Sequence, residues 1–198
     1  MTRIPTTPIR TGRTLAVPTF ERLSVRLLAA PLFAAASVLP FPAEAAEGER
    51  VVAELQGEGI SGRVTMEETA SGAVLVRVEA SGLSQGPHGF HVHEVGACEA
   101  EGGFESAGGH LARGLDHGVG AAEGEHPGDL PNLQASADGT VVAEFFTRGF
   151  TLDHEGEERL LDADGSAVVI HASADDYTSQ PSGNSGDRIA CGVLQAER

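Results

Sequence analysis

Six of the eight histidines form one ordered series. His91 and His93 stand in GFHVH, His110 in SAGGH, His117 in DHG, His126 in HPGD and His171 in VVIHA, and Asp129 and Asp175 add carboxylates nearby. Imidazole is the commonest protein ligand for transition metals, so this set reads as a metal centre for two ions. On a strand, residues two apart share a face, so His91 and His93 can address one ion while Phe90 and Val92 pack on the other side. Alone, the H-x-H pair also suits a zinc hydratase or hydrolase with one open zinc position, but that reading leaves four ordered ligands unexplained. His171 ends the apolar run 167–170, where an imidazole is costly to bury unless paired or metal-bound. His110, His117, His126 and Asp129 supply three nitrogens and one oxygen, a count that suits a closed tetrahedral zinc site. His91, His93, His110 and His171 supply four imidazoles, which suits a tetragonal copper site. Six histidines serve two four-coordinate ions only if one ring is shared.

The elements that must position these residues are strands. From Arg50 onward short β-rich runs (VVAEL, GRVTMEET, AVLVRVEAS, GFHVHEV, LQASA, TVVAEFF, SAVVIHA, RIACGVL) alternate with Gly, Asp, Asn or Pro. In AVLVRVEA, Val74, Val76, Val78 and Ala80 fall on one face and Arg77 and Glu79 on the other. Helical periodicity is nearly absent. Ser71-Gly72 and Asp138-Gly139 read as turns between strands, the second as a hairpin. Eight strands without helices predict an all-β antiparallel sandwich or barrel. Residues 96–132 and 175–188 break the rhythm as two long Gly-rich loops, and loops of that length inside a domain are usually functional.

Composition divides the chain. Residues 1–45 carry five Arg against Glu21 and Glu44, a net +3, which leaves −19 for the remainder. The apolar run 27–41 follows Arg22 and Arg26 and precedes Ala43-Glu44-Ala45, the small-x-small pattern of a signal-peptidase site. Pro31 and Pro40 interrupt it, and it falls short of the roughly 20 apolar residues that span a membrane. Residues 1–45 therefore read as a cleaved export signal, with a membrane-anchored amino terminus as the alternative. No Arg-Arg pair marks the twin-arginine route and no Cys follows the run to take a lipid. Residues 46–198 make one domain, destined for the periplasm or for secretion. The chain has no Lys and a large acidic excess, which argues against nucleic acid, and against a membrane surface once the signal is cut. Two cysteines, Cys98 and Cys191, in an exported chain most simply form a disulfide, and no C-x-x-C spacing supports metal ligation instead. Closing a loop of that length stabilises a fold by about 4 to 5 kcal/mol in the chain-entropy account.

The segments GPHGFHVHEVGAC, SAGGH, HPGDLPN, VVIHASADDY and PSGNSGDRIACGV resemble, in order and over nearly the whole mature chain, the signature blocks of the copper-zinc superoxide dismutase family. The resemblance implies an eight-stranded antiparallel Greek-key β-barrel or sandwich with two long functional loops. It implies copper on His91, His93, His110 and His171, zinc on His110, His117, His126 and Asp129, and His110 as the bridging ring. It implies that Asp175 holds histidines of both sites through their distal nitrogens, that Arg188 stands beside the copper as a fixed positive charge, and that Cys98 pairs with Cys191. The implied activity is an oxidoreductase one, dismutation of superoxide to oxygen and hydrogen peroxide, with His110 passing a proton to the departing peroxide. The alternative is an exported copper- and zinc-binding module of the same fold without turnover. Pairing as a homodimer is open to such a chain, although the sequence names no pairing surface.

The chain departs from the family pattern at three places. Leu111-Ala112-Arg113 replaces the usual large residue, Asn or Asp, and Pro after His110, and the spacing to His117 is short. Ser182 stands where Thr is common at the channel mouth. No lysine surrounds that mouth, so attraction of an anion rests on the metals and Arg188. His88 lies an odd number of residues from His91 and His93 and, with regular pairing, on the opposite strand face, as a hydrogen-bonded structural residue. His154 and its acidic neighbours read as solvated loop. Gly183, Gly186 and Gly192 read as backbone requirements.

Overall fold

The structure is a computed structural model that describes residues 49–152, 156 and 159–197. The export signal read over 1–45 and His154 lie outside those residues. Nine strands follow in order: β1 (Arg50–Gly57), β2 (Ile60–Glu68), β3 (Val74–Ser81), β4 (Gly86–His93), β5 (Asp129–Ala135), β6 (Val141–Thr147), β7 (Ala167–His171), β8 (Arg188–Val193) and the two-residue β9 (Gln195–Ala196). The only helical elements among the described residues are two 3-10 turns, Ala100–Gly102 and Glu105–Ala107. Among these residues no helix is long and apolar enough to cross a membrane.

Alternation assigns the faces. In β3, Val74, Val76, Val78 and Ala80 are buried while Arg77 and Glu79 are exposed, as expected from the sequence. All named pairings are antiparallel, in the order β5-β4-β7-β8-β1-β2-β3-β6, with β9 on β1. Two four-stranded halves meet at β1 and β8, through Gln56↔Cys191 and Gly57↔Ala190. Eight strands thus make a nearly closed barrel, and β9 adds a short strand to the expected eight. One core fills it, from Val64, Met66, Val76 and Val78 on one side to Phe90, Leu130, Val168 and Ile170 on the other. Each such side chain is worth about 1.5–3 kcal/mol of burial.

The metal-ligand strands are buried on both faces. Val168 and Ile170 of β7 face the barrel core, while Ala167 and Val169 face a second cluster built from Phe104, Ala107 and Cys98 of the covering loop and Cys191 of β8. β4 does the same with Phe90 and Val92 inward and His91 and His93 beneath the loops. The Cys98–Cys191 disulfide, with Cα atoms 5.7 Å apart, ties that loop to β8.

Two local expectations are corrected. Asp138-Gly139 forms a turn, with Gly139 N–H donating to Ser136 O at 2.9 Å and Asp138 accepting from Thr140, but it joins no hairpin. β5 pairs with β4 and β6 with β3, so the turn crosses from one half of the barrel to the other. β5 begins at Asp129, inside the stretch read as loop to residue 132: Asp129 pairs with His91 and Leu130 with Phe90. Pro131 hides this strand in the sequence, and it is tolerated because β5 ends the ladder. The pairing register shifts between His88 and Phe90, with the extra residue on β5, so β4 keeps its alternation. A Cβ on Gly89 would meet the side chains of His91 and His171, and His88 lies on the opposite face, as expected. What sets its role is hydrogen bonding: Nδ1 lies 2.7 Å from His171 O, and Nε2 lies 2.9 Å from Ser84 O and 3.2 Å from Ser84 Oγ.

Candidate metal centre

Two clusters of potential ligands share one residue. His91, His93, His110 and His171 bring one ring nitrogen each within 4.8 Å of one another, and so do His110, His117, His126 and Asp129 with its carboxylate oxygen. Every histidine of the two sets is buried. His91 Nδ1, His93 Nε2, His110 Nε2, His117 Nδ1 and His171 Nε2 have no hydrogen-bond partner. Leaving a buried polar atom unsatisfied costs about 1–3 kcal/mol, so five in one place call for ligation. Four of the five belong to the first cluster, one from each of its rings. The fifth, His117 Nδ1, lies 2.9 Å from Asp129 Oδ2 without hydrogen-bond geometry. That is how two ligand atoms stand around a common ion.

The opposite side of each ring explains which nitrogen is left free. His93 Nδ1 donates to Gly108 O at 3.0 Å and His171 Nδ1 to Gly186 O at 3.1 Å, so both present Nε2. His91 Nε2 donates to Asp175 Oδ2 at 2.8 Å, so it presents Nδ1. His117 Nε2 donates to the other oxygen, Asp175 Oδ1, at 3.0 Å, so it also presents Nδ1. Asp175 thus joins one ring of each cluster, and ligand orientation of this kind is half of a metal site. His110 presents Nε2 to the first cluster, while its Nδ1 lies 2.9 Å from Asp129 Oδ1 in the second. His126 Nδ1 lies 3.3 Å from the same oxygen.

Burial pushes His91 down to about 4, His171 to about 3 and His93 to about 2, with the neighbouring rings adding to the effect in each case. At neutral pH these imidazoles are uncharged and their lone pairs free for a metal. Burial alone would raise the Asp175 carboxyl. Hydrogen bonds from His91, the Tyr177 N–H and His117 outweigh it and hold Asp175 below the usual carboxylate range. Hydrogen bonds from His110 and the Gly118 N–H do the same for Asp129.

The loop after His110 is held despite its unusual residues. Leu111 is buried in the barrel core, its N–H donates to Val92 O at 2.8 Å, and its carbonyl accepts from Gly128 N–H at 3.0 Å. Arg113, at φ +49°, donates to the carbonyls of Gly149 and Arg159. The second loop closes over Asp175: Gly183 has φ +66°, and a Cβ there would fall on the Asp175 carboxylate, so glycine is required. Asn132 exchanges two hydrogen bonds with the Asp175 backbone, accepting from its N–H at 2.8 Å and donating to its carbonyl at 2.9 Å. Asn132 ends the HPGDLPN block, yet nothing in the sequence alone marks it as the support of Asp175.

A cavity of about 560 Å³ opens onto the first cluster, and His93, His110, His171, Arg188, Glu105, Asp187 and Ser182 are among the residues that line it. Arg188 Nη1 donates to Phe104 O and Nη2 to Gly108 O, both at 2.8 Å. The residues expected to bind metal, Asp175, Arg188 and the disulfide are therefore brought together, and His88 stands outside both clusters. Glu105 and the Gly108 carbonyl are parts of the site that the sequence reading missed.

The copper/zinc superoxide dismutase (SODC) family model matches residues 60–194. The superoxide dismutase (Cu-Zn) of Caulobacter vibrioides is 43% identical over 138 residues, covering 68% of this chain and 78% of the relative. Superoxide dismutase (Cu-Zn) 2 of Aquifex aeolicus is 39% identical over 166 residues, covering 81% of this chain and 95% of the relative. A crystal structure of a SOD-like protein from Bacillus subtilis superposes with a TM-score of 0.68 at 39% identity, covering 73% of this chain and 97% of that one. With the match running through both ligand clusters, the chain belongs to the copper/zinc superoxide dismutase family, oxidoreductases whose cofactors are copper and zinc.

Proposed function

We propose that this chain converts two superoxide anions and two protons into oxygen and hydrogen peroxide. One observation carries the reading: four buried, unpartnered imidazole nitrogens converge, and three of their rings, His93, His110 and His171, line a cavity that also holds a fixed guanidinium. Copper on His91, His93, His110 and His171 supplies a one-electron couple, and zinc on His110, His117, His126 and Asp129 supplies fixed charge without redox change. Arg188, locked by two carbonyls, offers a positive charge to an anion entering the cavity. Asp175 keeps His91 and His117 oriented. His110, whose two nitrogens face the two clusters, is the position from which a proton reaches the departing peroxide.

The mature protein is residues 46–198, exported to the periplasm or secreted, and the Cys98–Cys191 disulfide supports an oxidising compartment. Amino-terminal sequencing of exported material that starts well before residue 40 would contradict this.

The test is metal content by mass spectrometry on the mature protein with a superoxide-consumption assay before and after copper removal. The expected result is about one copper and one zinc per chain, with consumption abolished on chelation and restored by copper but not by zinc. Protein loaded with both metals that consumes superoxide no faster than free buffer would instead be a copper- and zinc-binding module.

A further inference from the structure

Glu105 is the first residue of the 3-10 turn Glu105–Ala107. The carbonyls that lock Arg188, those of Phe104 and Gly108, stand immediately before and after that turn. Glu105 Oε2 lies 3.5 Å from Arg188 Nη2, and its side chain is 77% exposed whereas that of Arg188 is only 15% exposed. The acid thus reaches from solvent to the side of the guanidinium that lines the cavity, at a separation longer than an ordinary hydrogen bond. The cavity wall carries two carboxylates, Glu105 and Asp187, against the single cation Arg188. The chain has no lysine to offset them.

We propose that Glu105 is a specificity-determining residue that competes with incoming anions for Arg188. This rests on the superoxide reading of the same cavity. The carboxylate is a tethered anion: it lowers the positive potential at the one cationic side chain of the cavity wall, and an anion that binds Arg188 must displace it or share the guanidinium. Small singly charged anions that fit beside it are admitted. Larger or more highly charged anions such as phosphate meet the repulsion of Glu105 and Asp187 together. No pairing energy need be large for this, because the pair is half in solvent and screened.

The test uses the copper- and zinc-loaded protein and its Glu105→Gln variant, with Glu101→Gln as a control for net charge. Glu101 is an exposed acid of the neighbouring 3-10 turn that does not line the cavity. Azide binding to the oxidised protein, followed by optical titration, needs no turnover. Glu105→Gln is expected to tighten azide about two- to five-fold, the effect of removing one exposed charge partner, and to strengthen inhibition by phosphate. It should also raise the rate with superoxide and make that rate fall more steeply with ionic strength. Glu101→Gln should change none of these. Azide affinity that is unchanged or weaker in Glu105→Gln, or a shift equally large in Glu101→Gln, overturns the proposal. If azide tightens while neither protein consumes superoxide, the role of Glu105 as an anion filter stands and the superoxide reading fails.

Discussion

His93 and Arg188 hydrogen-bond to one oxygen, the carbonyl of Gly108, at 3.0 and 2.8 Å. A carbonyl only accepts, and its two lone pairs serve both donors. The contact fixes the proton of His93 on Nδ1 and leaves Nε2 for the metal, and it sets the guanidinium at a fixed offset from that ring. Gly108 holds φ 75° and ψ −158°, a region essentially reserved for glycine. One glycine therefore registers the anion-binding cation against the metal ligands.

Replacing Arg188 with Ala removes the cation but leaves His93 its acceptor. The expected outcome is a fall of about ten- to a hundred-fold in the superoxide rate, with a flatter ionic-strength dependence. Copper should stay bound. Pulse radiolysis with metal analysis checks this, and copper loss in proportion to activity would show that Arg188 is structural.

Asp175 accepts from His91 and His117 on separate oxygens, 2.8 and 3.0 Å away. Asp175→Asn offers only one acceptor and sets an NH2 group against the other ring's N–H. Zinc affinity is expected to fall about 10- to 100-fold, the usual cost of losing such an orienting partner. Competition with a chromophoric chelator measures it. An unchanged zinc affinity would mean that His117 is oriented by other contacts.

Much of this centre was legible because strand period is rigid: His91, His93 and His171 lie on strands whose other faces hold Phe90, Val92, Val168 and Ile170. The pairing of Cys98 with Cys191 was legible from compartment and count. Asp129 was read as a ligand but not as a strand residue, since Pro131 masks β5 and only the edge position admits it. The Asp138-Gly139 turn was legible and its strand pairing was not, because turn chemistry is local while the partners of β5 and β6 come from other parts of the chain. The register shift at His88 likewise leaves no pattern in the residues themselves. Glu105 and Gly108 belong to a loop without periodicity, and only the fold brings them to Arg188.

The metal-free protein should be acid-sensitive. His91, His171 and His93 have folded values of about 4, 3 and 2 against an ordinary value of 6.5. Between those limits the unfolded chain binds more protons than the folded one, so stability falls as pH falls. The loss begins near the ordinary histidine value, ends for His91 at about 4, and continues lower for His171 and His93. Each histidine contributes a slope of about 1.4 kcal/mol per pH unit in its window. Urea unfolding midpoints of chelator-treated protein, followed by far-ultraviolet circular dichroism from pH 8 to 4, check this. A midpoint that stays flat below pH 6 contradicts it.

His110 carries the sharpest prediction because its two nitrogens face different clusters: Nε2 is unpartnered among the first set, and Nδ1 lies 2.9 Å from Asp129 Oδ1 in the second. With an ion on each side the ring must give up both protons, which two flanking cations make favourable near neutral pH. His110→Ala removes a ligand from each set and should lower occupancy of copper and zinc together. His117→Ala removes a ligand from the second set alone, so zinc should fall while most copper stays. The bridge itself is checked by placing cobalt in the zinc position and recording copper magnetic resonance. Coupling between the two ions is the expected result, since one conjugated ring would connect them. Uncoupled spectra in fully loaded protein would make the two clusters independent sites, with His110 a ligand of only one of them.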